Sequence, residues 1–169
     1  LSPSIKNFLP NPEIINDMQK STNRTMRAIS QKHKIGIFGD YDVDGASATA
    51  LLANFFNSIN IPHEIYIPDR KKEGYGPSVE SFKKLIDNGT KIIFTVDCGT
   101  LSFDAIDYAF NNNIDVIVLD HHQSEVNLPK AHSVVNPNRL DDKSDLKYLC
   151  AAGVTFMFLI SLNKELRSS

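Results

Sequence analysis

The side chains best equipped for chemistry fall in three short clusters: Asp40-Tyr41-Asp42-Val43-Asp44-Gly45, Asp97-Cys98-Gly99 and Asp120-His121-His122. Five carboxylates gathered in one place, with two imidazoles beside them, cannot all stay ionised unless positive charge sits among them. The sequence sets few lysines or arginines beside them, so metal ions are the economical counter-charge. Carboxylate oxygens with one or two imidazoles favour Mn²⁺ or Mg²⁺ over a thiolate-seeking metal. That many donors suffice for two ions, the number that cooperates in many phosphoryl transfers.

Taken singly, each cluster has a plainer reading. Asp40-x-Asp42-x-Asp44-Gly45 matches the first half of an EF-hand loop, but position twelve, which calls for a bidentate Glu, is Leu51. Asp42-Val43-Asp44-Gly45 also resembles the start of a haloacid-dehalogenase-type phosphatase, in which the first Asp is a nucleophile and Thr should come next. Ala46 stands there, and Asp40 is left without a role. A solvated acidic turn accounts for the first cluster alone, an ordinary strand end for Asp97, and a polar turn for Asp120-His121-His122. What joins the three is their place relative to the elements that precede them.

Each cluster follows an apolar run of strand type. Ile35 to Phe38 leads into the first, Ile92 to Val96 into the second and Ile114 to Leu119 into the third. Glu64 to Ile67 and Ser133 to Val135 are two further strand candidates. Between them, helical spacing recurs at Ala48, Leu51, Leu52, Phe55, Phe56 and Ile59, and at Val79, Phe82, Leu85 and Ile86, stopped by Gly89. Ser102 should cap a helix carrying Phe103, Ile106 and Phe110, and a last helix should run from about Tyr148 to Leu166. Ahead of the first strand, Leu1 to Pro10 reads as a loop or extended arm. Asn11-Pro12-Glu13 reads as the start of a helix bearing Ile15, Met18, Thr22 and Ile29. Alternating strands and helices predict an α/β domain: an open, mainly parallel sheet of about five strands with helices on both faces, Rossmann-like in plan. In such a sheet the carboxyl ends of the strands face one crevice. Asp40, Asp42, Asp44, Asp97, Asp120, His121 and His122 should therefore converge.

Composition narrows the rest. At 169 residues, 41% of them apolar, the chain can bury one real core. A net charge of −2 shows no broad basic field for nucleic acid, which says little about a site whose own acids hold metal. Cys98 and Cys150 lie far apart, which excludes a zinc knuckle, and both read as reduced small hydrophobes of a cytoplasmic protein. The longest apolar stretch, Ala151 to Leu162, is too short to span a bilayer. No GxGxxG follows the first strand, so a dinucleotide-binding domain lacks support.

Together the three clusters resemble motifs one to three of the DHH phosphoesterases, and within them the RecJ-type exonucleases. Ile67-Pro68-Asp69-Arg70-Lys71-Lys72-Glu73-Gly74-Tyr75-Gly76, Val135-Asn136-Pro137 and Cys150-Ala151-Ala152-Gly153-Val154 carry the likeness further, from about Asn11 to Phe158. The resemblance implies that Asp42, Asp44, Asp97 and His121 are metal ligands, with Asp97 bridging two Mn²⁺ (or Mg²⁺) ions and Asp40 a further ligand or close support. It implies that Asp120 orients the histidines and that His122 meets the scissile phosphate or assists the leaving group. A fourth motif with another aspartate is expected beyond this stretch, so residues 1–33 read as an arm and helix and 34–169 as a DHH catalytic domain truncated before that motif. Its absence would leave the fragment weakly active or inactive. Asp141, Asp142 and Asp145 precede Cys150 and stand in the wrong place for it.

For this branch the implied activity is 5′-to-3′ hydrolysis of single-stranded DNA in repair and recombination, and the implied partners are a single-strand-binding protein or a repair helicase. Arg70, Lys71 and Lys72 are candidates for phosphate contacts and Tyr75 for stacking on a base, in a loop made mobile by Gly74 and Gly76; the plainer reading is an exposed basic loop. Arg139 and Lys143 are weaker phosphate candidates, and His132 reads as structural or exposed. Two other functions stay open: a DHH enzyme for small substrates (cyclic dinucleotides, short oligonucleotides or pyrophosphate), and a catalytically silent scaffold of this fold.

Overall fold

The structure, a computed structural model, describes residues 8–168. The arm expected over Leu1 to Pro10 lies mostly outside the described residues. Five strands, β1 (Ile35–Gly39), β2 (His63–Tyr66), β3 (Ile92–Val96), β4 (Asp115–Leu119) and β5 (Ser133–Val135), form one sheet in the order β2-β1-β3-β4-β5. Every pairing in it is parallel. The register aligns Phe38, Thr95, Val118 and Val134 across four strands, so the loops that follow them leave from one edge. This order is that of the flavodoxin-like doubly wound folds, whose ligand crevice opens at the switch point between β1 and β3.

Both faces of the sheet are covered. Helices α1 (Met18–Ser30), α2 (Val43–Ser58) and α6 (Ala151–Ser168) bury Met18, Leu52, Phe56, Val154 and Phe158 against Ile37, Phe94, Ile117 and Val135. On the other face α4 (Val79–Asp87) and α5 (Phe103–Asn111) bury Phe82, Leu85, Ile106 and Ala109 against Phe38, Ile93, Val116 and Val118. Alternate residues of β3 and β4 thus feed opposite cores, and the central strands are apolar on both sides for that reason.

Several boundaries differ from the sequence-based expectation. The helix expected from Asn11 is split. Asn11 caps only a 3₁₀ turn, Pro12–Ile14, and α1 begins at Met18 after Asp17, whose φ is 63°. Tertiary contacts explain the break: Asp17 Oδ2 accepts from Val134 N at 3.0 Å and from Arg139 Nη1 at 2.8 Å, which ties the chain here to β5 instead of the helix. Arg139, proposed from sequence as a phosphate contact, is buried and paired with Asp17 and Asp141. The basic segment is not a plain loop either, since Arg70–Glu73 forms a short helix, α3, capped by Asp69. Cys98 is buried as expected, but Cys150 is exposed at the start of α6. His132 is partly buried, 3.7 Å from Asp115.

A candidate metal centre at the carboxyl edge of the sheet

Strand β1 ends at Gly39, and the chain turns directly into α2 with Asp42 as its N-cap: Asp42 Oδ1 accepts from Gly45 N at 2.9 Å. This turn brings the helix down onto Asp40. A Cβ at position 45 would lie 2.6 Å from the Asp40 carbonyl oxygen, so the glycine of the cluster is a requirement of close approach. Burial raises the Asp40 carboxyl, whereas the Gly45 N–H holds the Asp42 carboxyl below its usual value.

Asp97 follows β3 in a left-handed conformation, φ 61°, which Asp tolerates better than most residues. Its N–H donates to Leu119 O at 3.0 Å, and its side chain is 2% exposed. Burial and the neighbouring charges of Asp44 and Asp42 push its carboxyl up to about 8. Asp40 Oδ1 and Asp97 Oδ1 are both buried without a hydrogen-bond partner among the described residues. Buried carboxylate oxygens are rarely left so.

Asp120 follows β4 and gathers four donors. Oδ1 accepts the N–H groups of His121 and His122 and Nδ1 of His122, the last at 2.7 Å, and Oδ2 accepts Thr100 N at 3.1 Å. Burial would raise its carboxyl, but the bonds from His122 and Thr100 prevail and hold it down to about 2. The same bond raises the His122 imidazole. His121 Nε2 lies 3.2 Å from Asp97 Oδ1 and 3.5 Å from Asp44 Oδ2.

Two sets of side chains bring ligand atoms within 4.8 Å of one another: Asp40 with Asp42 and Asp97, and Asp97 with His121 and His122. Asp97 is common to both. All seven residues singled out from the sequence do converge, and the orphaned oxygens, the crowding of acids and the oxygen-rich donor set fit divalent cations of the Mn²⁺ or Mg²⁺ kind. Asp44 has a second task that the sequence did not reveal. Its carboxylate accepts Ala151 N at 2.7 Å and Ala152 N at 2.8 Å, capping α6.

Tyr75 reaches the centre as well. Its hydroxyl donates to the Asp97 carbonyl at 3.0 Å, and its ring meets His122 edge-on at 5.8 Å. Gly74 and Gly76 on either side both have positive φ, 80° and 77°. Beside them a cleft of about 320 Å³ is lined by Tyr75, Thr100, Leu101, Asp120 and His122. Arg70 packs its guanidinium over the Tyr41 ring at 5.0 Å, whereas Lys71 and Lys72 are exposed, with Lys72 3.4 Å from Asp69. Thr100, Asn136 and Asn138, which sequence reasoning passed over, hold the histidine segment from below. The Val135-Asn136-Pro137 stretch was a signal for Asn136 alone.

The family described as "DHH family, N-terminal domain" matches residues 34–168. The chain belongs to the DHH family. Its relatives include the single-stranded-DNA-specific exonucleases RecJ of Bacillus subtilis, 36% identical over 88% of this chain, and of Escherichia coli, 33% identical over 99%. The chain spans 19% and 29% of the lengths of those two proteins. Among solved structures, an exonuclease RecJ bound to manganese superposes with a TM-score of 0.82 at 28% identity, over 90% of this chain and 38% of that one. RecJ of Thermus thermophilus in complex with Mn²⁺ gives 0.76 at 25% identity, over 90% of this chain and 22% of that one. The DHH fold and the likeness to the RecJ branch, expected from the motifs, are thereby shown.

Proposed function

We propose that this DHH domain is the metal-binding catalytic part of a phosphodiesterase that removes nucleotides from the 5′ end of single-stranded DNA. The observation that carries the reading is the pair of buried carboxylate oxygens on Asp40 and Asp97 that make no hydrogen bond, with Asp97 shared by both ligand sets. Asp40, Asp42 and Asp97 would hold one cation, and Asp97, His121 and Asp44 a second. When bound, such ions supply an acidified water and neutralise charge on the phosphoryl oxygens. The manganese in the two RecJ structures supports this choice of metal.

The chain's own side chains do the rest. Asp120 takes the Nδ1 proton of His122 in a hydrogen bond, which fixes the ring and leaves Nε2 to meet a phosphate oxygen or the leaving group. The raised imidazole of His122 suits it to donate a proton near neutral pH. Tyr75 closes one side of the cleft, placed to stack on a terminal base, while Arg70, Lys71 and Lys72 on α3 line the approach of the phosphate backbone. The proposal includes work in the cytoplasm beside a single-strand-binding protein or repair helicase; no helix among the described residues is long and apolar enough to cross a membrane.

The test, made on the full-length protein to which this domain would belong, is Mn²⁺-dependent turnover of end-labelled single-stranded DNA, a cyclic dinucleotide and pyrophosphate, with Asp97→Ala as control. Mononucleotides released from the 5′ end, and lost in the control, are the expected result. Turnover of the small substrates alone would keep the metal centre and overturn the DNA reading. No metal-dependent turnover of any of them would favour a silent scaffold.

A further inference from the structure

Three strand ends meet beneath the two histidines, and one buried side chain joins them. Asn136 follows β5 directly and has no exposed surface. Its Nδ2 donates to Thr100 Oγ1 and to the carbonyl of His122, each at 2.9 Å, so both amide hydrogens are used. Its Oδ1 accepts the N–H of Asn138 at 2.8 Å, and Asn138 Nδ2 donates to the carbonyl of His121 at 2.5 Å. Thr100 N donates to Asp120 Oδ2, and Asp120 Oδ1 accepts His122 Nδ1. The bonds close a ring through Asn136, Thr100, Asp120 and His122.

This ring stands where regular structure gives out. The last ladder-like bond on this side is Asp120 N to Val135 O at 3.1 Å; beyond it His121 and His122 lie outside any strand. Their carbonyls are held by side-chain amides in place of a neighbouring strand. Only an amide offers two donors and an acceptor from one short side chain, so Ser is too short and poor in donors, and Asp presents acceptors where donors are needed. Buried networks of this kind fix geometry when every member is satisfied.

We propose that Asn136 is a positioning residue: it sets the backbone of His121 and His122 and, through Thr100 and Asp120, the orientation and tautomer of the His122 ring. The inference rests on the reading of His121 and Asp97 as cation ligands, and it adds to that reading a residue that touches neither metal nor substrate.

The experiment uses this chain with ¹⁵N-labelled histidine, free of metal, at a pH where both rings are neutral. Long-range ¹H–¹⁵N spectra should show a single Nδ1-protonated His122 in the wild type. In Asn136→Asp, which keeps the shape and removes both donors, a mixture of His122 tautomers is expected. Mn²⁺ affinity, read from the electron paramagnetic resonance of free ion, should fall about 10–100-fold. Thr100→Val cuts one link of the same ring without burying a charge, and serves if Asn136→Asp does not fold. A folded variant with unchanged His122 signals and unchanged Mn²⁺ affinity would overturn the inference. A wild-type chain that takes up no Mn²⁺ would sink the metal reading instead, while the metal-free His122 spectra would still decide what Asn136 does.

Discussion

At Asp97 burial and neighbouring acids hold a carboxyl far from its ordinary state. Its carboxyl is raised from an ordinary 3.8 to about 8 by burial and by the acids beside it. A group raised in the folded state adds stability that is complete below its unfolded value and is lost as pH climbs towards the folded one. The metal-free protein should therefore lose melting temperature between about pH 4 and pH 8, the span over which Asp97 keeps its proton only in the folded chain. Asp97→Asn should flatten that slope. A bound cation displaces the proton, so the gain in melting temperature on adding Mn²⁺ should grow over the same interval. An Asp97→Asn protein that kept the wild-type slope would place the proton elsewhere in the cluster. Asp120 runs the other way: held down to about 2, it contributes above 3.8 and fails only as strongly acid pH is reached.

At the scale of elements, the centre depends on two helix starts pressed against it. The first turn of α2 touches Asp40 through Gly45, and a methyl group there would sit 2.6 Å from a backbone oxygen and 2.8 Å from the Asp40 Cβ. Neither atom is the free end of a side chain. Gly45→Ala should cost about 1–3 kcal/mol in urea unfolding, and it should weaken Mn²⁺ binding by tilting α2. A stable variant with intact affinity would show that the turn yields more easily than its packing implies. The second start is that of α6, whose first two N–H groups are taken by Asp44. In metal-free protein Asp44→Ala should cost about 0.5–2 kcal/mol as a lost cap. That loss, seen by thermal melting in a chelator, is separable from any effect on metal because no cation is present.

Across the whole molecule, Phe94 links the sheet to the two helices that bear on the centre. Its ring meets Phe56 of α2 at 5.8 Å and Phe158 of α6 at 5.5 Å, all three fully buried. Phe94→Ala should cost about 3–5 kcal/mol, a large part of the roughly 5–15 kcal/mol that keeps a domain folded. Denaturant unfolding measures this directly. A cost below about 1 kcal/mol would mean that α2 and α6 close over the gap, against the usual behaviour of large-to-small core changes.

The sequence by itself determined the plan. Apolar runs ending in acids at Gly39-Asp40, Val96-Asp97 and Leu119-Asp120, alternating with helical patterns, predicted parallel strands with one functional edge, because hydrophobic period is local and a helical crossover returns the chain in the same direction. The seven acids and histidines and their DHH likeness were legible for the same reason. Other features are invisible in a linear string, since they depend on which groups are left unpaired when distant segments meet. Asp17 left the first helix to bond Val134 and Arg139, and Arg139 was thereby taken from solvent into an ion pair. Asp44 became the cap of a helix more than a hundred residues away, and Asn136 the clamp on His122. Tertiary structure decided these because a buried polar group must find its partner wherever the fold supplies one.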